Sequence, residues 1–468
     1  MSMFIQNKLI RWILQPLANL SDRIPRKIRN IIFVLCGAGI FFFNVYNNSA
    51  LGGLRYLYVC AFNCLMIGLM LLCTLPKELA LVKFDKKLLI PWLGFTVFML
   101  IAGLTKSVDY LADTMLFLVM FPVIFLIWNE QNFPSIVKLL IYTARVVAIG
   151  FFAVSAMFFS ITGSKYASCF NNVNGFAFFM TALFVLLLIG FLTEKKTRVW
   201  RWVDLILLGI CWALVYYSNS RTGQLACLIA AIGTLLLLLI SAKKRLACLL
   251  WDILPVVLIV MISVQTVLPV FIATNRVTNC CREAIVSIFD KGDSPSTDGP
   301  EDSEPDASVE DVLNDIQNIQ NIKTETDGKT ANQFATGRIE IWKGFIDHIT
   351  FWGHAIEETF TFSYRGETVT NATAHMTVLH FAYYYGMLAG VFYLLFNLIA
   401  GVKSIIFAAR RSENRWALLP LAASLAYGCI SLLASTSVVF SYMIALVYYL
   451  AQAPLMAKPA ISTDSAQA

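Results

Sequence analysis

The stretch Gly175-Phe176-Ala177-Phe178-Phe179-Met180-Thr181-Ala182-Leu183-Phe184-Val185-Leu186-Leu187-Leu188-Ile189-Gly190-Phe191-Leu192 contains no charged side chain. A helix of that length rises roughly 27 Å, close to the thickness of a bilayer's hydrocarbon core. No side of it is polar, so it does not fit the half-buried surface helix of a water-soluble globule. Working outward, comparable apolar windows lie near 31–46, 57–75, 88–104, 113–128 and 140–161 before it. Others follow near 203–219, 223–241, 247–272, 376–400, 416–434 and 436–455. The expected fold is an all-α polytopic membrane protein of about 12 transmembrane helices, with one large external loop between spans 9 and 10.

Composition supports this count. Of 468 residues, 58% are hydrophobic and only 14% charged, and 35 are Phe. The mean hydropathy is +0.70. A soluble protein averages about 25% charged residues, so a single soluble globule is excluded. Charge placement orients the spans, because loops rich in Lys and Arg stay cytoplasmic. The tail carries Lys8, Arg11, Arg23, Arg26, Lys27 and Arg29 against Asp22. Every second loop thereafter is basic: Lys77/Lys83/Lys86/Lys87, Lys195/Lys196/Arg198/Arg201, Lys243/Lys244/Arg245 and Lys403/Arg410/Arg411/Arg415. The loop after span four, with Lys138 and Glu130, is a weak member. Both termini are therefore expected in the cytoplasm: a basic tail over 1–30, spans 1–9 over 31–272, spans 10–12 over 376–455 and a tail over 456–468. No cleavable signal peptide is read, since the first apolar span begins after thirty residues without a small-residue cleavage site.

Residues 273–375 form the one long hydrophilic stretch, placed outside by this orientation. Within it, 283–327 holds 13 of the 29 acidic residues and only Lys291 and Lys323 as bases. The formal net charge of +7 thus sums a strongly basic membrane body and an acidic insertion. The run 290–308 reads as disordered, and Ser308 opens a short helical pattern. The remainder, 336–375, differs. Ile339, Trp342, Ile346 and Ile349 recur at helical spacing opposite Glu340, Lys343 and Asp347, which suggests an amphipathic helix at the membrane surface. All four histidines, His348, His354, His375 and His380, fall in this neighbourhood.

Cations on the external side run against the topology signal: Arg55, Lys106, Lys165, Arg221, Arg276, Arg282, Arg338, Lys343 and Arg365. Arg221 lies in Asn219-Ser220-Arg221-Thr222-Gly223, a minimal turn at which a helix starts. An arginine beside free helical N–H groups suits a phosphate. A side chain snorkelling to lipid headgroups fits the same residues. The 11 cysteines lie mostly in apolar spans, and Cys169, Cys280 and Cys281 on the external side leave one bridge open. No metal-ligand spacing occurs.

Four features together resemble the O-antigen ligase and O-antigen polymerase superfamily of membrane glycosyltransferases. Ser220-Arg221-Thr222-Gly223 opens a span after a tight external turn. Gly337-Arg338-Ile339-Glu340-Ile341-Trp342 begins the late loop segment and leads to Phe351-Trp352-Gly353. Ala374-His375 precedes an apolar run containing Tyr385-Gly386-Met387-Leu388-Ala389-Gly390, and the large loop sits between spans nine and ten. The segment 170–177, Phe-Asn-Asn-Val-Asn-Gly-Phe-Ala, looks like the family's asparagine turn. The resemblance covers about 165–400; Met376 departs from the Asn that often follows the family's loop histidine.

The resemblance implies transfer of a glycan from undecaprenyl diphosphate to an acceptor glycan or lipid, at the external leaflet of a bacterial inner membrane. Arg221 and Arg338 would hold the diphosphate and His375 would act as base. Asn174, Ser220, Trp342 and Lys343 are candidate substrate contacts. The bottom-up chemistry agrees: two arginines can neutralise a diphosphate leaving group without a metal, and an imidazole suits a hydroxyl nucleophile. No cofactor and no nucleic-acid partner is expected. Glu357, Glu358 and Glu367 could meet sugar hydroxyls. Ligase and polymerase are not separated by the residues. A transporter of lipid-linked oligosaccharides is the alternative, with Arg145 read as the one charge well inside a span and no internal repeat to favour it.

Overall fold

A computed structural model describes residues 2–49, 52–77, 82–107, 109–157, 166–289, 338–355, 358, 360–364, 367–371, 373–411, 413–436 and 439–459. The disorder expected over 290–308 and the helix expected at Ser308 lie outside these, as do Lys165, Glu357, Arg365 and the side chains of Arg276, Cys280, Cys281, Arg282 and Glu367.

The chain is an all-α polytopic membrane protein. Helix α1 (Ser2–Asp22) precedes α2 (Arg26–Asn47), α3 (Tyr56–Thr74), strand β1 (Val82–Phe84), α4 (Lys86–Thr105), α5 (Tyr110–Ile127) and α6 (Phe133–Met157). Then come α7 (Val173–Thr193), α8 (Val199–Tyr217), α9 (Arg221–Ser241) and α10 (Arg245–Asn275), the last continuing as helix to Phe289. The loop contributes α11 (Arg338–Asp347) and a hairpin of β2 (Phe360–Tyr364) and β3 (Glu367–Asn371). The chain closes with α12 (Thr377–Tyr384), α13 (Met387–Arg410), α14 (Arg415–Leu433), α15 (Met443–Met456) and β4 (Ala457–Pro459). Among the described residues, 11 helices are long and apolar enough to cross a membrane, and α15 is a shorter apolar helix at the place of the twelfth expected span.

Helix α7 explains its own sequence. Every residue from Gly175 to Leu192 is buried by protein, so the helix without a polar face is the centre of the bundle. It packs on α6, α8, α9, α14 and α15. The lipid-facing helices instead expose one apolar stripe, as α13 does with Leu398, Val402 and Ile405.

Contacts between connecting segments sort them onto two faces with the parity of a twelve-crossing chain. On one face β1 pairs antiparallel with β4, and the Glu130 N–H donates to the Ala457 carbonyl at 3.2 Å. Lys403 pairs with Asp85, Arg411 with Glu130, and Lys243 with Glu413. This is the basic face. On the other, Ser49 bridges to Phe170, the Asn171 N–H donates to the Asn48 carbonyl at 2.8 Å, and the Tyr166 N–H to the Tyr217 carbonyl at 3.1 Å. The loop between α10 and α13 belongs there too, since the Tyr110 hydroxyl donates to the His354 carbonyl at 2.9 Å.

Three differences from the sequence expectation have physical causes. Continuous hydropathy places residues 376–386 in the tenth span, but α12 is a separate helix, and Gly386 at φ +99° turns the chain before α13. The basic tail folds as α1, docked by a 2.9 Å bond from the Gln15 amide to the Lys77 carbonyl. Arg145 is also not the one ion inside the spans. It donates to both oxygens of Asp204 at 2.7 Å and to Glu194 at 3.2 Å, while Asp252 accepts from Arg201 and Arg415 at 2.8 Å. These buried ions close on one another and bind α6, α8, α10 and α14 together near the basic face, as ions in an apolar medium must. The sequence hides Asp204 and Asp252 inside windows that are otherwise apolar.

Candidate active site on the face opposite the basic loops

The site builds from two helix starts and one loop. Asn172 caps α7, its side chain accepting from the Asn174 N–H at 2.8 Å. Asn219, at φ +53°, reverses the chain after α8, and Ser220 caps α9 by accepting from the Gly223 N–H at 3.4 Å. The Ser220 hydroxyl then donates to Asn174 Oδ1 at 2.8 Å. Glycine is needed at 223, where a Cβ would stand 2.8 Å from that of Ala177. The asparagine turn and the Ser-Arg-Thr-Gly turn are thus one structure, two helix N-termini held side by side. Arg221 is the first residue of α9, is exposed, and has no ion-pair partner among the described residues. Two positive dipole ends and a free guanidinium make this corner receptive to an anion.

The loop supplies the other part. Helix α11 buries Ile341, Gly344 and Phe345, the last edge-on to Tyr383 of α12 at 5.1 Å. Arg338 starts this helix, half-buried, and no described residue forms an ion pair or hydrogen bond with it. Burial holds its guanidinium below the ordinary arginine value, though it remains a cation. His375 sits before α12 with φ +48°, a conformation costly for a residue with a side chain and frequent at functional sites. Its Nε2 lies 3.4 Å from the Thr373 hydroxyl. Desolvation and then the charge of Arg338 push the imidazole below its usual value, so it is neutral at neutral pH.

Anchoring of α12 fixes His375. The Thr377 hydroxyl lies 3.0 Å from the Ala434 carbonyl, 2.9 Å from the Thr436 hydroxyl and 3.0 Å from the Thr436 N–H, tying the helix start to the segment after α14. At its other end the Met387 N–H donates to the Thr350 carbonyl at 3.0 Å and the His354 N–H to the Tyr384 carbonyl at 3.3 Å. Phe351-Trp352-Gly353 and Tyr385-Gly386-Met387, separate in sequence, are here one backbone junction.

The other histidines divide by partner. His354 stacks on Tyr383 at 4.2 Å, with Nδ1 2.7 Å from Glu358 and Nε2 2.8 Å from the His348 carbonyl, a structural role. His348 holds the Gly344 carbonyl at 2.8 Å. His380 packs on Tyr384 at 4.5 Å and leaves Nδ1 buried without a partner among the described residues. Trp342 is half-buried with its indole N–H unpartnered among the described residues, and Lys343 is exposed. The structure therefore hydrogen-bonds Ser220 to Asn174 and sets Arg338 where its charge acts on His375. Arg221 lies on the same face, and no hydrogen bond or ion pair among the described residues links it to Arg338.

Sequence reasoning missed Asp113 of α5. It is buried beneath the loop, accepting from the Tyr56 hydroxyl at 2.5 Å and the Tyr385 hydroxyl at 3.4 Å. Its signal was a carboxylate at the edge of an apolar window. Cys169 forms no disulfide among the described residues, and the bridge left open to Cys280 or Cys281 lies outside them. Among the described residues no three His, Cys, Asp or Glu side chains gather into a group that could hold a metal.

One face of this many-span membrane protein thus carries paired helix N-termini, Arg221 without an ion-pair partner among the described residues, and His375, groups suited to an anion. Residues 206–394, which run from α8 through the loop into α13, match the family model described as O-antigen ligase. Over this region, about two fifths of the chain, the protein is similar to the O-antigen ligase family. No curated protein matches the chain.

Proposed function

We propose that the protein transfers a glycan from undecaprenyl diphosphate to an acceptor hydroxyl at the leaflet facing the large loop. Arg338 carries this reading: the buried arginines of the basic face are ion-paired, whereas Arg338 has no partner among the described residues and stands beside a neutral histidine. A half-buried cation without a counterion is stabilised when an anion arrives.

In this mechanism Arg338 and Arg221 bind the diphosphate, with N–H groups at the start of α9 adding to the field. His375 accepts the proton of the acceptor hydroxyl as that oxygen attacks the anomeric carbon. The bond from that carbon to the diphosphate oxygen breaks with its electron pair, and the arginines neutralise the leaving group. Trp342 offers a ring face for a sugar, and Asn174, Ser220 and Lys343 offer polar contacts. The excess of Lys and Arg on the basic face supports a cytoplasmic location for that face and the termini, which sets the chemistry outside the inner membrane. Either a growing lipid-linked chain or a different glycolipid can present the hydroxyl.

The test is Arg221→Ala, Arg338→Ala and His375→Ala in cells lacking the native copy, scored for surface glycan length and transfer. Loss of product with lipid-linked glycan accumulating on the outer leaflet is expected. Normal product from all three variants sinks the assignment, and accumulation on the inner leaflet would indicate a transporter.

A further inference from the structure

We propose that the groove at the basic end of α13 is a binding site for a diacyl phospholipid with an anionic headgroup, drawn from the leaflet on that side. The groove has a volume of about 550 Å³ and lies between α13, the start of α4 and the α15–β4 junction. Its polar lining is Lys87, Lys403, Arg410, Arg411 and Lys458, with no carboxylate among the lining residues. Asp85 and Glu130 stand behind and neutralise Lys403 and Arg411. Lys87, Arg410 and Lys458 are exposed and have no ion-pair partner among the described residues, which leaves about three uncompensated charges at one mouth. Three cations from three separate elements converging on one space favour a phosphate, and Arg410 adds a fork that matches its oxygens.

The rest of the lining separates a lipid from a soluble phosphate. Leu398, Val402 and Ile406 extend the groove away from the charges along α13, and Leu455 closes its side. From Leu398 to Arg411 the helix rises about 20 Å, so an apolar wall the length of much of an acyl chain ends in a cationic mouth. Leu398 and Val402 are 57% and 58% exposed, open to the hydrocarbon. A headgroup at the mouth and a chain along the wall fill both halves at once, and basic pockets between membrane helices on this side suit such headgroups.

The experiment uses the full chain purified in neutral detergent and native mass spectrometry with added lipid. Phosphatidylglycerol should be retained at least about tenfold more than phosphatidylcholine of the same chains, and Arg410→Gln with Lys458→Gln should remove that preference. The double substitution Lys83→Gln with Lys86→Gln takes equal charge from the same face outside the groove and should leave retention unchanged. A neutral apolar variant, Val402→Ala, should weaken retention without altering charge. Equal retention of the two lipids, equal loss in both double variants, or complete displacement by millimolar inorganic phosphate would each overturn the proposal; the last would mark a free phosphate site. Monodisperse elution of each variant confirms that folding is intact, and none of these readouts depends on glycan transfer.

Discussion

Gly353 and Gly386 hold one another in place. Both have positive φ, +79° and +99°, and a Cβ on either would run into the other strand's backbone: Tyr384 and Gly386 for the first, Phe351 for the second. This junction sets the loop against the hairpin between α12 and α13, and so sets where Arg338 meets His375.

Gly386→Ala should therefore cost both the left-handed conformation, about 1–2 kcal/mol, and a backbone displacement. Detergent thermal unfolding should fall by several degrees, with transfer lost. Gly401→Ala and Gly428→Ala, where a Cβ meets nothing within 4 Å, should be neutral or slightly stabilising. Equal effects at all three positions would remove the junction from the argument.

Ser220→Ala removes a helix cap and the bond to Asn174 together, which predicts a loss of about 1 kcal/mol. Asn174→Ala should cost a similar amount, and the double variant less than their sum, because the two side chains share one bond. Additive losses in a double-mutant cycle would show that the two turns are independent.

The pH profile follows from the sign of the His375 shift. Burial and Arg338 lower its value, so the base form persists below the ordinary histidine range near 6.5 and is lost as pH falls through the lowered value. Transfer should thus be flat near neutrality and decline only at acid pH. Arg338→Gln removes the second cause, and its residual activity should decline at a higher pH than wild type. A limb that moves to lower pH would contradict the pairing.

Arg145→Ala strands the buried Asp204, and loss of one partner from a buried pair costs about 3–5 kcal/mol. Little folded protein should reach the membrane, measured by fluorescence-detected size exclusion. Arg145→Met with Asp204→Leu should recover much of it, since both buried ions leave together and Glu194 keeps Arg198 at 3.6 Å. Failure of the double variant to improve on the single would argue that the ions do more than pair with each other.

The apolar windows announced the crossings because a membrane helix must satisfy its own backbone and present apolar side chains, which is a local property. The tight turn at Ser220 was legible for the same reason: cap residues and a helix start sit in consecutive positions. The break at Gly386 was not, because hydropathy is continuous through 376–400 and the turn depends on a partner glycine 33 positions earlier. The proximity of Arg338 to His375 likewise comes from α11 resting on α12 through Phe345 and Tyr383, a contact with no local signature. Asp204 and Asp252 escaped because each looks like a tolerated exception in its own window, and only the fold shows that each faces an arginine.

The pairing of β1 with β4 has a consequence for biosynthesis. Phe84 meets Ala457, more than 370 positions later in the chain. At ribosomal speeds of about 5–20 residues per second, roughly 20 to 75 s separate the two strands. Through that interval the edge of β1 waits for its partner, and this clasp closes only when the final crossing has been delivered. A nascent chain stopped before Ala457 would carry every crossing and still lack its latch.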